Sequence, residues 1–253
     1  MKKRIIIGNW KMSPQTLAEA RVAFLKIKKT CKKLRRTQAV ICPPFVYLHS
    51  FKALVSKQCM LGAQDLFWER EGAYTGEISA GELVDAGARF VIIGHSERRA
   101  LGETDEDAAK KISAAVREYL LPVLCVGEAD RDERGEYTKY IVRQVRHGLR
   151  GLKREHLSRI HIAYEPIWAI GARARHAASP DDVFEVSILI RKTLAGMYGK
   201  ESAENATLLY GGSVDEKNTK EFLEKGGMRG LLIGRASIDP KTFSRILMSA
   251  EER

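Results

Sequence analysis

Eight short apolar runs punctuate this chain, and they constrain its fold more than any other feature. They are Arg4–Gly8, Gln38–Cys42, Met60–Gln64, Arg89–Gly94, Leu121–Gly127, Ile160–Tyr164, Thr207–Tyr210 and Gly230–Gly234. Each is four to seven residues long, rich in Ile, Val and Leu, and lacks strict alternation. Strands buried on both faces of a parallel sheet read this way. Helical signals fill the gaps. Ser13-Pro14 reads as N-cap and first helical residue before Thr16–Thr30. Thr104 with Asp107 forms a capping box ahead of Ala108–Tyr119, and Ser179-Pro180-Asp181-Asp182 opens Val183–Tyr198 in the same manner. No Pro/Ser-rich linker interrupts the series. Eight strand–helix units in 253 residues predict an α/β protein with one domain over residues 1–253. Its expected form is a (β/α)8 barrel of eight parallel strands with outer helices. A doubly wound open sheet is the rival, but no G-x-G-x-x-G follows the first run.

Composition narrows the class. With 44% apolar and 30% charged residues, the chain suits a folded soluble domain and no fibrous or disordered one. No apolar stretch nears the roughly 18 residues of a membrane span. The start, Met1-Lys2-Lys3-Arg4 before three isoleucines, imitates the basic end of a signal peptide, but the apolar run stops at Gly8. A cytoplasmic protein is therefore expected. Cys31, Cys42, Cys59 and Cys125 form no C-x-x-C pair, so reduced core thiols are expected and no metal site. Lys plus Arg number 43 against 32 for Asp plus Glu, a net charge of +11. That excess admits a nucleic acid, a membrane surface or an anionic metabolite as partner. Seven of the eleven residues from Lys26 to Arg36 are basic, and Arg143–Arg159 is also basic. Both fall on expected outer helices and the first has no interleaved aromatic. They read as solvated faces, with no nucleic-acid and no membrane partner.

A barrel places its chemistry just after its strands, at their C-terminal ends. After the first run come Asn9 and Lys11, with Trp10 pointing elsewhere because side chains alternate in extended chain. A lysine there suits a phosphate or a developing oxyanion. His95 follows the fourth run and precedes a helical turn, whose N-terminus favours a neutral imidazole able to donate a hydrogen bond. Glu165 follows the sixth run beside Pro166, Ile167 and Trp168, an apolar setting that makes a carboxylate a better base. The segment from Gly171 to Ala178 has small residues and no apolar periodicity, and reads as a lid. Gly211-Gly212-Ser213 and Gly234-Arg235-Ala236 are glycine turns entering helices, with backbone N–H groups suited to a phosphate. There is no metal-ligand cluster, no cofactor motif and no G-x-S-x-G elbow. A base, a neutral donor, a cation, a lid and a phosphate grip suffice for proton transfer beside a carbonyl on a small phosphorylated substrate.

On these residues the chain resembles the triosephosphate isomerase family. The matching segments include Gly8-Asn9-Trp10-Lys11-Met12, Cys42-Pro43-Pro44-Phe45, Gly62-Ala63-Gln64 and Gly72-Ala73-Tyr74-Thr75-Gly76-Glu77. Gly94-His95-Ser96-Glu97-Arg98-Arg99, Leu124-Cys125-Val126-Gly127-Glu128, Ala163 to Gly171 and Tyr210-Gly211-Gly212-Ser213-Val214 follow in order. The resemblance implies a TIM barrel and a cofactor-free isomerase interconverting dihydroxyacetone phosphate and D-glyceraldehyde 3-phosphate. It implies Glu165 as the base, His95 as the polarising donor, and Asn9 and Lys11 as stabilisers of negative charge. Gly171, Ser213, Gly234 and the backbone at Arg235 would hold the phosphate. Ile170 and Leu232 would press on Glu165, and Glu97 would pair with Lys11, with Ser96, Trp168 and Tyr210 in support. A homodimer is also implied, built by the loop Gln64–Ser79, which carries Phe67, Trp68, Tyr74, Thr75, Gly76 and Glu77 toward the partner.

The sequence also departs from the family. Gly171-Ala172-Arg173-Ala174-Arg175-His176 replaces the usual Gly-Thr-Gly-Lys-Thr-Ala and leads into two extra residues. Gly234-Arg235 replaces a usual Gly-Gly, Asp65 replaces a common Asn, and the stretch after Arg99 is one residue short. These differences leave a second reading open, a paralogue acting on a related ketose phosphate such as an erythrulose phosphate.

Overall fold

A computed structural model describes residues 3–132, 134–170 and 177–252. Its strands are β1 (Arg4–Asn9), β2 (Thr37–Cys42), β3 (Cys59–Ala63), β4 (Ala88–Ile93), β5 (Leu121–Val126), β6 (His161–Tyr164), β7 (Thr207–Tyr210) and β8 (Gly230–Ile233). They close in sequence order into one parallel barrel, with Ile6 of β1 paired to Ala39 of β2 on one side and to Leu231 of β8 on the other. The described helices are α1 (Leu17–Cys31), α2 (Phe45–Leu48), α3 (Ala80–Asp85), α4 (Ser96–Ala100) and α5 (Asp105–Arg117). They continue with α6 (Glu136–Gly148), α7 (Pro180–Tyr198), α8 (Lys200–Asn205), α9 (Thr219–Glu224) and α10 (Pro240–Glu251). The (β/α)8 architecture expected from the apolar runs is the one found, and each run contains most of one strand.

Alternation along the strands builds two cores. Ile5, Ile7, Val40, Cys42, Phe90, Ile92, Val123, Cys125, Ala163, Leu209 and Leu232 form a cluster of their own inside the barrel. Their strand neighbours, among them Ile6, Ile41, Val91, Leu124, Ile162 and Leu231, join a larger cluster with the helices. Both faces of every strand are thus apolar, which is why the sequence shows runs rather than alternation. All four cysteines are buried and free. None of the described helices is long and apolar enough to cross a membrane.

Capping follows local chemistry, with one correction. Thr104 and Ser179 form the expected capping boxes with Asp107 and Asp182, and Ser79 forms a third with Glu82. For α1 the cap is Thr16, whose hydroxyl accepts from the Glu19 N–H at 3.3 Å, and Ser13-Pro14 lies ahead of the helix. Thr16 wins because its extended backbone, with φ of −124° and ψ of 150°, sets its hydroxyl over the first free N–H groups of the helix.

Candidate active site

The same alternation carries side chains into the C-terminal mouth of the barrel. Asn9 continues the inward series Ile5 and Ile7, Glu165 continues His161 and Ala163, and Gly211 and Gly234 continue Leu209 and Leu232. Asn9, Lys11, His95, Glu165, Ile170, Ser213, Leu232, Gly234 and Arg235 line one cleft of about 480 Å³. Residues separated by more than 200 positions in the chain meet there, as the strand ends predict.

Lys11 sits just beyond β1 with φ of 53°, in the left-handed region. Such backbone costs a non-glycine residue about 1–2 kcal/mol. It is braced at both ends: its N–H donates to Asn9 Oδ1 at 3.1 Å, and Gln64 Nε2 donates to its carbonyl at 2.9 Å. Its ammonium donates to Glu97 Oε1 at 2.6 Å. Because Asn9 spends its carbonyl oxygen on this turn, its amide NH2 is the group left for the cleft.

His95 is the N-cap of α4, and its Nδ1 accepts the Glu97 N–H at 3.2 Å. A nitrogen that accepts carries no proton, so the ring is neutral and its hydrogen lies on Nε2. That nitrogen is 3.3 Å from Glu165 Oε1. Glu165 is only 3% exposed, and its other oxygen accepts the Ser96 N–H at 3.2 Å. The absence of a side chain at Gly211 is needed here, since a Cβ would come within 2.8 Å of Glu165 Cγ.

Behind the base lies a polar hub that the sequence reading missed. Buried Glu128 accepts from Tyr164 OH and Trp168 Nε1, both at 2.8 Å, and from Arg131 Nε at 3.2 Å. The Arg131 guanidinium also lies over the Trp168 ring, 5.3 Å from its centroid. Trp168 is thereby fixed at the start of the lid segment. Glu128 follows β5, so the strand-end rule reaches it, but nothing in its own sequence neighbourhood names its partners. Tyr210 is buried with its ring 4.1 Å from that of Phe222, and Ser213 Oγ donates to the Ala169 carbonyl at 3.0 Å. Gly171 and residues 172–176 of the segment expected to form a lid lie outside the described residues.

Asp65, the departure in the long loop, is bound at 2.6 Å by Lys111 Nζ and at 2.9 Å by Arg98 Nε. Burial pushes its carboxyl above the ordinary range despite the pull of Lys111. The loop's aromatics pack on one another. Phe67 packs on Trp68 and Tyr74, with centroids 4.2 and 4.8 Å away, and Lys110 covers Trp68. Phe67 and Trp68 thus find shelter within the chain, and Tyr74 stays 45% exposed. Gln64 is likewise turned inward, to Lys11 and to the Cys42 carbonyl at 3.0 Å, while Thr75, Gly76 and Glu77 are exposed.

A parallel eight-stranded barrel with a carboxylate, a neutral imidazole and a lysine facing one cleft at its C-terminal mouth defines a class: barrel proteins equipped for proton transfer. The sequence profile described as triosephosphate isomerase matches residues 4–250. A triosephosphate isomerase of Dictyoglomus thermophilum is 44% identical over 252 residues, covering 98% of this chain and 100% of that one. That of Moorella thermoacetica is 44% identical over 250 residues, covering 98% of each. The crystal structure of triosephosphate isomerase from Bartonella henselae superposes with a TM-score of 0.83 at 34% identity, covering 99% of this chain and 100% of that one. The chain belongs to the triosephosphate isomerase family.

Proposed function

We propose that this chain is a single-domain isomerase that interconverts dihydroxyacetone phosphate and D-glyceraldehyde 3-phosphate through an enediolate, a step shared by glycolysis and gluconeogenesis. The observation that carries the reading is the 3.3 Å approach of His95 Nε2 to Glu165 Oε1 beside Lys11, in a chain of this family. A substrate that displaces this contact meets a base on one side and an N–H donor on the other. Glu165 removes a proton from the hydroxymethyl carbon. His95 Nε2–H and the Lys11 ammonium stabilise the charge that moves onto the carbonyl oxygen, and the Asn9 amide assists. His95 carries the proton between the two oxygens, and Glu165 returns its proton to the neighbouring carbon. Ile170 and Leu232 wall the base from water on the cleft side. The glycine turns at Ser213 and at Gly234-Arg235, with Gly171, hold the phosphate. The relatives compared above bear the triose name, which does not favour the tetrulose alternative.

Two further readings go with this one. The chain works as a homodimer: Met12 and Leu101 stand 87% and 78% exposed on a second cleft of about 370 Å³ that shares Asn9, Lys11 and His95 with the first. The partner's loop tip at Thr75 fills that cleft and fixes Lys11 and His95 from outside. A cytoplasmic location fits a soluble sugar-phosphate enzyme with buried free thiols.

The test is kinetic. Purified protein should isomerise glyceraldehyde 3-phosphate far faster than a tetrulose phosphate. Glu165→Asp withdraws the carboxylate by one methylene and should lower kcat by about 100-fold or more with KM nearly retained. An undiminished kcat would remove Glu165 from the chemistry.

A further inference from the structure

The charge balance of the substrate cleft singles out Arg235. Among the described residues, the ionised side chains lining the cleft are Lys11, Arg235, Glu165 and Asp215. Lys11 is already paired with Glu97 at 2.6 Å. Asp215 accepts the backbone N–H groups of Lys217 and Asn218 at 2.8 and 3.0 Å. Without Arg235 the described lining would set one engaged cation against two carboxylates. A phosphate monoester is a dianion near neutral pH, and such a wall would repel it.

Arg235 brings that lining to two cations against two carboxylates, and it is free to meet an anion. Its side chain is exposed, and its guanidinium has no hydrogen-bond or ion-pair partner among the described residues. Its backbone opens the 3-10 turn Arg235–Ser237 that follows β8. It directly follows Gly234, where an added Cβ would stand 3.3 Å from Lys11 Cε and 3.6 Å from Lys11 Nζ. The Lys11 ammonium thus lies against the wall that carries Arg235. A guanidinium offers a planar fork that matches two phosphate oxygens, which an ammonium does not.

We infer that the Arg235 side chain is a phosphate ligand of this cleft and sets its affinity for phosphate monoesters. The inference rests on the isomerase reading for the identity of the substrate, but not for the binding of the anion itself. Two substitutions isolate the side chain, because both keep the backbone N–H at this position. Arg235→Met retains the stem and removes the charge, and Arg235→Lys retains charge without the fork. At about 20 mM salt, Arg235→Met should raise KM for both triose phosphates, and the inhibition constant of inorganic phosphate, by about three- to ten-fold. Within the same variant kcat should move less than two-fold, and Arg235→Lys should recover part of the loss. The effect should shrink by about 0.5 M salt, as expected for a rim charge. KM and inhibition constants within two-fold of the parent at low salt would overturn the assignment, as would full recovery by Arg235→Lys for the bidentate contact. Calorimetric titration with inorganic phosphate separates the two claims. A parent protein that binds phosphate through Arg235 yet isomerises nothing would sink the isomerase reading alone.

Discussion

Lys11 illustrates how a reactive side chain is held by neighbours that do no chemistry. Its left-handed backbone aims the ammonium toward Gly234, and the conformation is tolerated only because partners over-determine it. Gln64 is the long-range partner, donating from one Nε2 to the carbonyls of Lys11 and of Cys42. It therefore joins the end of β1 to the end of β2 from β3. Gln64→Leu keeps the bulk and removes the donor. Two carbonyls then lose their partner, which costs about 1–3 kcal/mol of stability. Lys11 also gains freedom to leave its geometry, so kcat/KM should fall by about 10-fold or more. Calorimetry and kinetics on the same preparation would show both. A stability loss with kcat/KM intact would mean that Asn9 and Glu97 hold Lys11 without Gln64.

At the scale of elements, one carboxylate closes the chain on itself. Glu251, the last residue of α10, accepts the N–H groups of Arg35, Arg36 and Thr37 at the entry to β2. Burial works against its charge, but the N–H groups of Arg36, Arg35 and Thr37 outweigh that and hold its carboxyl below the ordinary range. A carboxylate lowered by folding contributes stability that is present above its unfolded value and lost as pH falls through its folded value. Glu251→Gln should therefore cost about 1–3 kcal/mol near neutral pH, and the difference from the parent should close as the solution is acidified below the glutamate range. Thermal melts at several pH values would measure this, and a pH-independent difference would contradict it. The same contact shows where sequence reading stops. The apolar run of β2 starts at Gln38, yet the strand begins at Thr37, because Thr37 is anchored by Glu251 and by the Ala250 carbonyl more than 200 residues away. Strand identity was legible because burial on both faces imposes a local pattern. Asn9 and Glu165 were legible because strand parity continues past the strand end. The Glu128 hub and the inward turn of Gln64 were not, since both depend on the register between strands distant in sequence. Ser13-Pro14 misled for the opposite reason: its local chemistry is that of a cap, and Thr16 offered a better one.

Over the whole molecule, the charge excess of the described residues lies away from the cleft. The described cleft lining contributes two cations and two carboxylates, while the sequence carries +11. Of the basic run from Lys26 to Arg36, Lys26, Lys28 and Lys29 lie on α1, and Lys32, Lys33, Arg35 and Arg36 lie in the connection to β2. That connection is at the N-terminal end of the barrel, opposite the mouth. The outer-helix placement expected from sequence thus holds for only part of the run. This distribution has a consequence for assembly. The cleft proposed for a partner carries Met12 and Leu101, which are 87% and 78% exposed, and its Lys11 and Arg98 are offset by Glu97 and Asp65. Short-range charge pairing therefore contributes little across the proposed interface, and apolar burial drives it. The remaining electrostatics is repulsion between two chains of net charge +11. At about 10 mM salt the screening length is about 30 Å, comparable to the span of a barrel, and at 0.15 M it is about 8 Å. Dimerisation should consequently tighten as salt rises over that range, opposite to the behaviour of an interface held by salt bridges. Sedimentation velocity across a dilution series at both salt concentrations would follow it, with specific activity read alongside because Lys11 and His95 line the cleft proposed for the partner. Dissociation promoted by salt would show that ion pairs hold the interface. A monomer of full specific activity at all dilutions would show that the site is complete without a partner.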